Sequence, residues 1–500
     1  MKNSVRILML AAALFGTHAA QAFCGFYVAK TDATLLNKAS QVIVTRDGIR
    51  NVITMSSDFQ GDVKDFAMVV PVPVVLKRAD IRIKERSIFE KFNDYTAPRM
   101  AEYYDPEPCP APAYDSTLTF AWATGTYTLD YAASPTMMLT SVGGVTVEAQ
   151  YRIEEYDIVM LSATESGGLK KWLTINGYKI PDKAEEVLDP YIASNMKFFV
   201  VKVNMDELRR RNPYISDGIY PLRPIQIAFD SPKFMLPIRL GMANATEAQD
   251  MIVYTLSRKG RIETTNYRTV NVPTNMNVPV FVADKFTDFY KKTYQKSLNE
   301  NGRNAVFLEY AWDVTPQNPI PCDPCVGTPL YINDLHDAGA DWATVSGPNT
   351  GQVYITRLHV TYDRQHYPQD LMFQETPNRE NFQARYVRHI PASRNGLTCY
   401  EGQRYIRELR DRRLEELENY KILTGEVAPN AQDYFTQFDN QMRAFTPEET
   451  ERRKKENEIN GAPLGDDNNT PGGMPVLLLS LLTLTAVFFA LSRSRVPAAV

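Results

Sequence analysis

Residues 41–55 read QVIVTRDGIRNVITM, two β-branched runs, Val42 to Thr45 and Val52 to Met55, set either side of Asp47-Gly48. β-branched side chains fit a pleated strand, and Asp-Gly supplies the positive φ of a two-residue hairpin turn. The stretch therefore predicts antiparallel pairing early in the chain. Downstream, Phe66 to Val75 (FAMVVPVPVV) reads as a strand in which Pro71 and Pro73 withhold two backbone donors, favouring a sheet edge or a strand end. Ser87 to Glu90 has the form of a capping box opening a helix that carries Phe89, Phe92 and Tyr95 on one side and stops near Pro98. Strand patterns return over Val142 to Ala163, Lys197 to Val203, Ile225 to Val282, Ala305 to Val314, Val353 to Tyr362 and Phe382 to Val387. Helical patterns cover the segment from Ser166 broken at Asn176-Gly177, then Asp182 to Leu188, Ala283 to Leu298 and Glu401 to Thr424. The last carries Ile406, Leu409, Arg413, Leu417 and Tyr420 as a near-heptad stripe and is closed by Gly425. Strands seldom alternate strictly with helices, so the expected fold is α+β, an antiparallel-sheet-dominated ectodomain with short helices. FAMVVPVPV (Phe66 to Val74) is echoed by FMLPIRL (Phe234 to Leu240), a likeness that apolar-proline strands reach by chance.

The chain has 500 residues, enough at about 150 per domain to bury a sizeable core without disulfides. Its 44% hydrophobic and 23% charged residues exclude a disordered, collagen-like or polytopic membrane protein. Lys+Arg 55 against Asp+Glu 59 gives a net charge of -4, which supplies no footprint for nucleic acid.

Both ends read as signals. Lys2 and Arg6, the apolar run Ile7 to Gly16, and an A-x-A exit with Ala20 and Ala22 predict a secretory signal peptide over residues 1–22. Bulky Phe23 directly before Cys24 argues against a lipid anchor. Met474 to Ser492 (MPVLLLSLLTLTAVFFALS) has no charged side chain, and as a helix it would span about 28 Å, close to the bilayer's ~30 Å of hydrocarbon. Arg493 and Arg495 follow, so the positive-inside rule puts residues 493–500 in the cytoplasm. The expected organisation is an exported domain over 23–425, open to division into subdomains at about 23–205 and 206–425, then a polar stalk over 426–473 and one C-terminal transmembrane helix over 474–492. The expected address is the cell envelope, single-pass, with the N-terminal domain periplasmic or extracellular. Removing the four positive charges of Lys2, Arg6, Arg493 and Arg495 from -4 leaves -8 on the exported part.

Five cysteines, Cys24, Cys109, Cys322, Cys325 and Cys399, are all disulfide candidates in an oxidising compartment. Cys322-Asp-Pro-Cys325 can close on itself, and of the other three only two can pair within the chain. Cys24 with Cys109 is one such pair, and the sequence leaves the choice open. The same Cys322 and Cys325 are the redox candidates, because paired cysteines at this spacing lower one thiol's pKa. Against that, prolines separate the preceding strand from the motif, and Asp323 opposes a thiolate. No metal is expected, since a zinc site needs four convergent ligands and one Cys-x-x-Cys is present. His359 is expected on a strand face with Arg357 and Thr361, His366 in a turn, both as satisfied histidines. Glu154 and Glu155, adjacent in a strand pattern, are expected on opposite faces. No nucleophile elbow, phosphate loop or dinucleotide glycine pattern occurs, and no cofactor is expected.

Several stretches together carry a resemblance. FCGFYVAK (Phe23 to Lys30), DFQGDVKDFAMVVPVPV (Asp58 to Val74), SPKFMLPIRLGMANA (Ser231 to Ala245), GRIETTNYRTVNVP (Gly260 to Pro273), EYAWDV with CDPC, RLHVTYD (Arg357 to Asp363) and FQARYV (Phe382 to Val387) resemble the bacterial domain-of-unknown-function 2330 family. The resemblance covers Phe23 to about Gly425 and implies an exported, membrane-tethered protein. It also implies that the odd cysteine count belongs to the design. It carries no reaction, ligand or catalytic residues. At the other end, Gly472 and Gly473 followed by the apolar run and arginines resemble the sorting tail that rhombosortase-type proteases are thought to cut. The expected role is thus a non-catalytic binding or scaffolding module held to the membrane, with an envelope protein, peptide or glycan as partner. The alternatives are a thiol-disulfide oxidoreductase using Cys322 and Cys325, and a precursor cleaved near Gly472-Gly473 and released.

Overall fold

The computed structural model describes residues 26–29, 36–60, 66–109, 141–142, 144–176, 184–211, 219–220, 222–243, 248–315, 328–344, 351–392, 399–429, 431–432 and 434. The chain forms two compact units, Met1–Ala431 and Gln432–Val500. Of the second, only residues 432 and 434 are described. The signal segment with Ala20 and Ala22, Cys24, Cys322, Cys325, Gly472, Gly473 and the run Met474 to Ser492 lie outside the described residues. Among the described residues no helix is long and apolar enough to cross a membrane.

The first unit is sheet-rich α+β with short helices. One sheet is six-stranded, in the order β1 (Phe26–Ala29), β4 (Phe66–Val72), β10 (Lys197–Val203), β9 (Tyr156–Ala163), β8 (Val145–Ile153), β7 (Ser141–Val142), and every pairing in it is antiparallel. A ten-stranded sheet follows the path β16 (Arg268–Asn271), β18 (Ala305–Asp313), β19 (Tyr354–Tyr362), β14 (Gln249–Ser257), β2 (Leu36–Asp47), β3 (Arg50–Gln60), β12 (Ile225–Asp230), β5 (Ile81–Ile83). Off that path, β11 (Ile219–Tyr220) pairs with β3 and β21 (Phe382–Gln383) with β18. Two small three-stranded sheets join β13 (Met235–Leu236), β20 (Leu371–Glu375) and β15 (Ile262–Thr264), and β17 (Met276–Asn277), β22 (Arg385–Ile390) and β6 (Arg99–Tyr104). The smaller of the two main sheets comes wholly from before residue 205, whereas the large one draws strands from both sides of it.

The hairpin of β2 and β3 forms with Asp47 opposite Arg50. Its two-residue loop is therefore Gly48-Ile49, one residue later than the Asp-Gly pattern suggests, and Gly48 takes φ 59° at the first loop position. In β4 the proline rule holds at the strand end. β1 pairs only as far as Val69, so Pro71 lies beyond its neighbour on that side while still facing Phe198 of β10.

The two main sheets pack face to face. Val70 and Val72 of β4 and Phe199 and Val201 of β10 meet Ile53 and Met55 of β3 and Ile227 of β12 in one buried cluster. The outer face of the small sheet is covered by α2 (Ser166–Ile175) and α3 (Ala184–Ala193), through Leu169, Leu173, Leu188 and Tyr191. The outer face of the large sheet is covered by α1 (Ser87–Thr96), whose Ile88, Phe89, Phe92 and Tyr95 join Tyr254 and Ile355. Phe92 is fully buried, worth about 2–3 kcal/mol in apolar transfer. Ser87 is the first helical residue of α1 rather than its cap; the N-cap is Arg86, with no side-chain cap hydrogen bond. α4 (Met205–Arg211), α5 (Phe286–Glu300) and α6 (Ile332–Asp337) are further short helices, and α7 (Tyr400–Thr424) is the one long helix among the described residues. α7 buries Ile406, Leu409, Arg413 and Tyr420 and ends at Gly425 with φ 77°.

Cys109 is bonded to Cys399, 290 residues away. Cys399 is also the N-cap of α7, its sulfur accepting from the amide of Gly402 at 3.2 Å. The bridge ties the start of α7 to the segment leaving β6, where buried Asp105 takes Arg412 at 3.0 Å. The partner of Cys109 is thus the distant Cys399 and not Cys24.

Candidate functional site

A cavity of about 270 Å³ opens at the mouth between the two main sheets. Ile53 and Met55 of β3 and Ile227 of β12 line one side, Val70 and Val72 of β4 the other. The rim holds Pro73 and Val74 after β4, Ser194 after α3, and Pro232, Lys233 and Pro237 in the segment after β12. β4 stops here because its prolines cannot extend the ladder, so its end becomes a lip of the mouth rather than a closed edge. Val74 and Val75 stand 38% and 37% exposed at that lip.

The segment Ser231 to Arg239 forms one wall and is held at one end by a buried and at the other by a half-buried polar group. At one end Arg46 Nη1 donates to the carbonyl of Ser231 at 2.9 Å and to Asn51 Oδ1 at 2.7 Å, and the guanidinium stacks on Phe234 at 5.1 Å. Burial pushes the Arg46 pKa down, and only the more distant Glu375 pulls it up. At the other end Asp370 Oδ1 accepts from the amides of Ile238 (2.9 Å) and Arg239 (3.1 Å) and from the Tyr191 hydroxyl (2.6 Å). A wall pinned in this way is pre-organised, which lowers the entropy cost of filling the cavity. The two proline-rich echoes, Phe66 to Val74 and Phe234 to Leu240, thus meet at one cavity. They are not copies of one unit, since the first is a strand of the six-stranded sheet and the second lies in β13 and the turn after it.

A second polar constellation sits on the outer face of the large sheet. Arg357, His359 and Thr361 alternate along β19 as the RLHVTYD pattern predicts. His359 Nδ1 meets Glu309 Oε1 at 2.7 Å and its Nε2 meets Asp250 Oδ1 at 2.8 Å, while its ring stacks on Tyr294 at 3.8 Å. Glu309 also accepts from Arg357 Nε at 2.6 Å and from the Tyr290 hydroxyl. Arg357 Nη1 continues to Asn93 of α1 at 2.9 Å. Burial alone would push the imidazole pKa down, but Asp250 and Glu309 outweigh it and hold it up at about 10. Burial would likewise raise the Glu309 carboxyl; His359 and Arg357 bring it down to about 2. His359 is therefore a buried cation clamped from both sides, with neither ring nitrogen free for a proton transfer or a metal. No group of three His, Cys, Asp or Glu side chains suited to a metal ion occurs among the described residues.

Glu154 and Glu155 do not sit on opposite strand faces. They form the turn between β8 and β9, Glu154 taking φ 54°, and both carboxylates converge on Arg223. Glu155 is 1% exposed and accepts from Arg223 Nε at 2.9 Å. The pair reads as alternating only when the turn goes unseen; Tyr-Arg-Ile-Glu-Glu-Tyr holds no glycine or proline to signal it. His366 lies in its expected turn, bonded to Asp363 at 2.8 Å. Of the candidate cysteines, the described pair Cys109 and Cys399 is brought together, far in sequence from Cys322 and Cys325. The cavity lies outside every residue singled out for chemistry, and the only sequence signal for it was the proline-punctuated apolar echo.

A sequence model of a family described as an uncharacterised protein conserved in bacteria (DUF2330) matches residues 18–374. No curated protein and no solved structure matches the chain.

Proposed function

The chain belongs to the bacterial DUF2330 family, and we propose that it is a membrane-anchored, extracytoplasmic, non-catalytic binding module whose ligand places an apolar group in the cavity between the two sheets. The observation that carries this reading is the cavity itself: about 270 Å³, walled by aliphatic side chains, open at one end, with its wall segment pinned by Arg46 and Asp370. The signal-like N-terminus and the uncharged run Met474 to Ser492 support the envelope address and the single C-terminal anchor. The sheet pair supplies a rigid scaffold, and the mouth supplies the recognition.

Titration of the full-length chain with a neutral, environment-sensitive naphthylamine dye tests the reading. One saturable site per chain is expected, lost in Val74→Trp and in Ser194→Trp, two exposed-rim changes at the adjoining ends of β4 and β10 that narrow the mouth without entering the core. Absence of saturable binding, or binding indifferent to both tryptophans in folded variants, overturns it.

A further inference from the structure

We infer that the cavity takes a single unbranched alkyl chain ending in an anionic group, such as a free medium-chain carboxylate, with the head at Lys233. This rests on the binding reading above and specifies its ligand. The volume bounds the tail: about 270 Å³ lies just below the ~300–1,000 Å³ of sites that enclose a drug-sized ligand, which points to a tail of medium length. The lining is aliphatic with no aromatic cage, so it offers nothing to a quaternary ammonium or a sugar ring beyond Phe229 at one edge.

The charges at the mouth set the head. Asp230 is the one carboxylate among the lining residues, and it is already paired with Arg50 at 3.4 Å. Arg50 is shared with Asp80 at 3.8 Å. Arg46, buried behind the wall, is held only by neutral oxygens of Ser231, Pro232 and Asn51. Lys233 is exposed on the rim and has no carboxylate partner among the described residues. The Glu375 carboxylate near Arg46 is taken by Lys259 at 3.1 Å, so Lys233 is the one charged lining residue left without an ion-pair partner among the described residues, beside an apolar hole, on a chain whose overall charge is -4. An anionic head on Lys233 and an alkyl tail along Val70, Val72 and Met55 satisfies both features at once. The aliphatic lining favours a free amphiphile over a protein segment, which would leave its backbone polar groups unpaired there.

The test uses the full-length chain in nanodiscs of zwitterionic lipid, so that no detergent competes. Displacement of the neutral dye is measured with hexanoate, octanoate, decanoate and tetradecanoate, with decanol, and with decyltrimethylammonium. Affinity should rise about threefold to fourfold per methylene and level off beyond decanoate as the cavity fills. Decanoate should bind about two to five times more tightly than decanol, as an exposed ion pair allows, and the advantage should shrink with added salt. Lys233→Glu should reverse the order of decanoate and decyltrimethylammonium while leaving decanol and the dye unchanged. If decanoate and decanol bind alike, or Lys233→Glu changes neither, the anionic head is wrong and the apolar cavity stands. If no probe binds, or Val74→Trp leaves all of them bound, the cavity reading fails and takes this inference with it. Binding to phosphatidylglycerol vesicles without binding to free decanoate would overturn the free amphiphile in favour of a membrane surface.

Discussion

Replacing His359 with glutamine removes the cation that Asp250 and Glu309 share. In the native fold the imidazole is held at about 10, against about 6.5 for an unfolded chain. A folded pKa raised above its unfolded value adds stability that is complete below the unfolded value and disappears as the pH climbs through the folded one. At 1.36 kcal/mol per pH unit the proton held over this window is worth about 4–5 kcal/mol, in line with the ~3–5 kcal/mol lost when one partner of a buried ion pair is removed. His359→Gln should therefore unfold in urea about 3–5 kcal/mol less stable than the native chain at pH 6. The gap should narrow progressively between pH 6.5 and 10, because over that range the native chain holds a proton that its unfolded chain has already lost, whereas the variant has none to bind in either state. The difference between the two curves isolates His359 from the tyrosines and lysines that titrate in both. A variant as stable as the native chain at pH 6, or a gap that stays constant to pH 10, refutes the clamped-cation account. Glu309, held down at about 2, works in the opposite direction: its contribution is present above about pH 4.5 and is lost as the pH falls towards 2. Glu309→Gln should accordingly flatten the acid side of the same profile.

The disulfide closes a loop spanning 290 residues, for which chain entropy sets an upper value of about 6 kcal/mol, so Cys109→Ala with Cys399→Ala should lower the unfolding free energy by the ~2–5 kcal/mol usual for a native bridge, read by urea unfolding and matched by reductant on the native chain. Glu155→Gln removes the buried carboxylate beneath Arg223 and should cost about 3 kcal/mol by the same assay, whereas Glu154→Gln, at the more exposed side of the turn, should cost under ~1 kcal/mol. Equal costs for the two would show that Glu155 does not carry the clamp. For the topology, a cytoplasm-only reporter fused after Val500 should be active and a periplasm-only one silent. The intact mass of the membrane form should start at Phe23, and appearance of a species ending near Gly473 in the medium would instead identify a cleaved precursor.

The antiparallel hairpin, the strands at Lys197 to Val203 and Tyr354 to Tyr362, the aromatic helix α1 and the long helix α7 were legible because each depends on neighbours in sequence: alternation, helical spacing, and glycine where φ turns positive. Even Arg357, His359 and Thr361 could be placed on one face from period two alone. What local pattern could not supply was the identity of the partners. Glu309 and Asp250 lie 50 and 109 residues from His359, and nothing in their own surroundings marks them as the carboxylates that hold a buried imidazolium. Glu154 and Glu155 were misplaced for the complementary reason, that a tight turn without glycine or proline looks like uninterrupted strand.

By itself the sequence determined the sheet-rich α+β class, the family resemblance, and the chemical identity of every element that the apolar periodicity sets. Tertiary structure alone decided which cysteine meets Cys109, which charges neutralise one another, and that two proline-interrupted segments 160 or more residues apart enclose one cavity. Local propensity acts over a few residues through backbone sterics and side-chain spacing, whereas a cavity is the volume that two packed sheets fail to fill, and it comes into being only when both are in place.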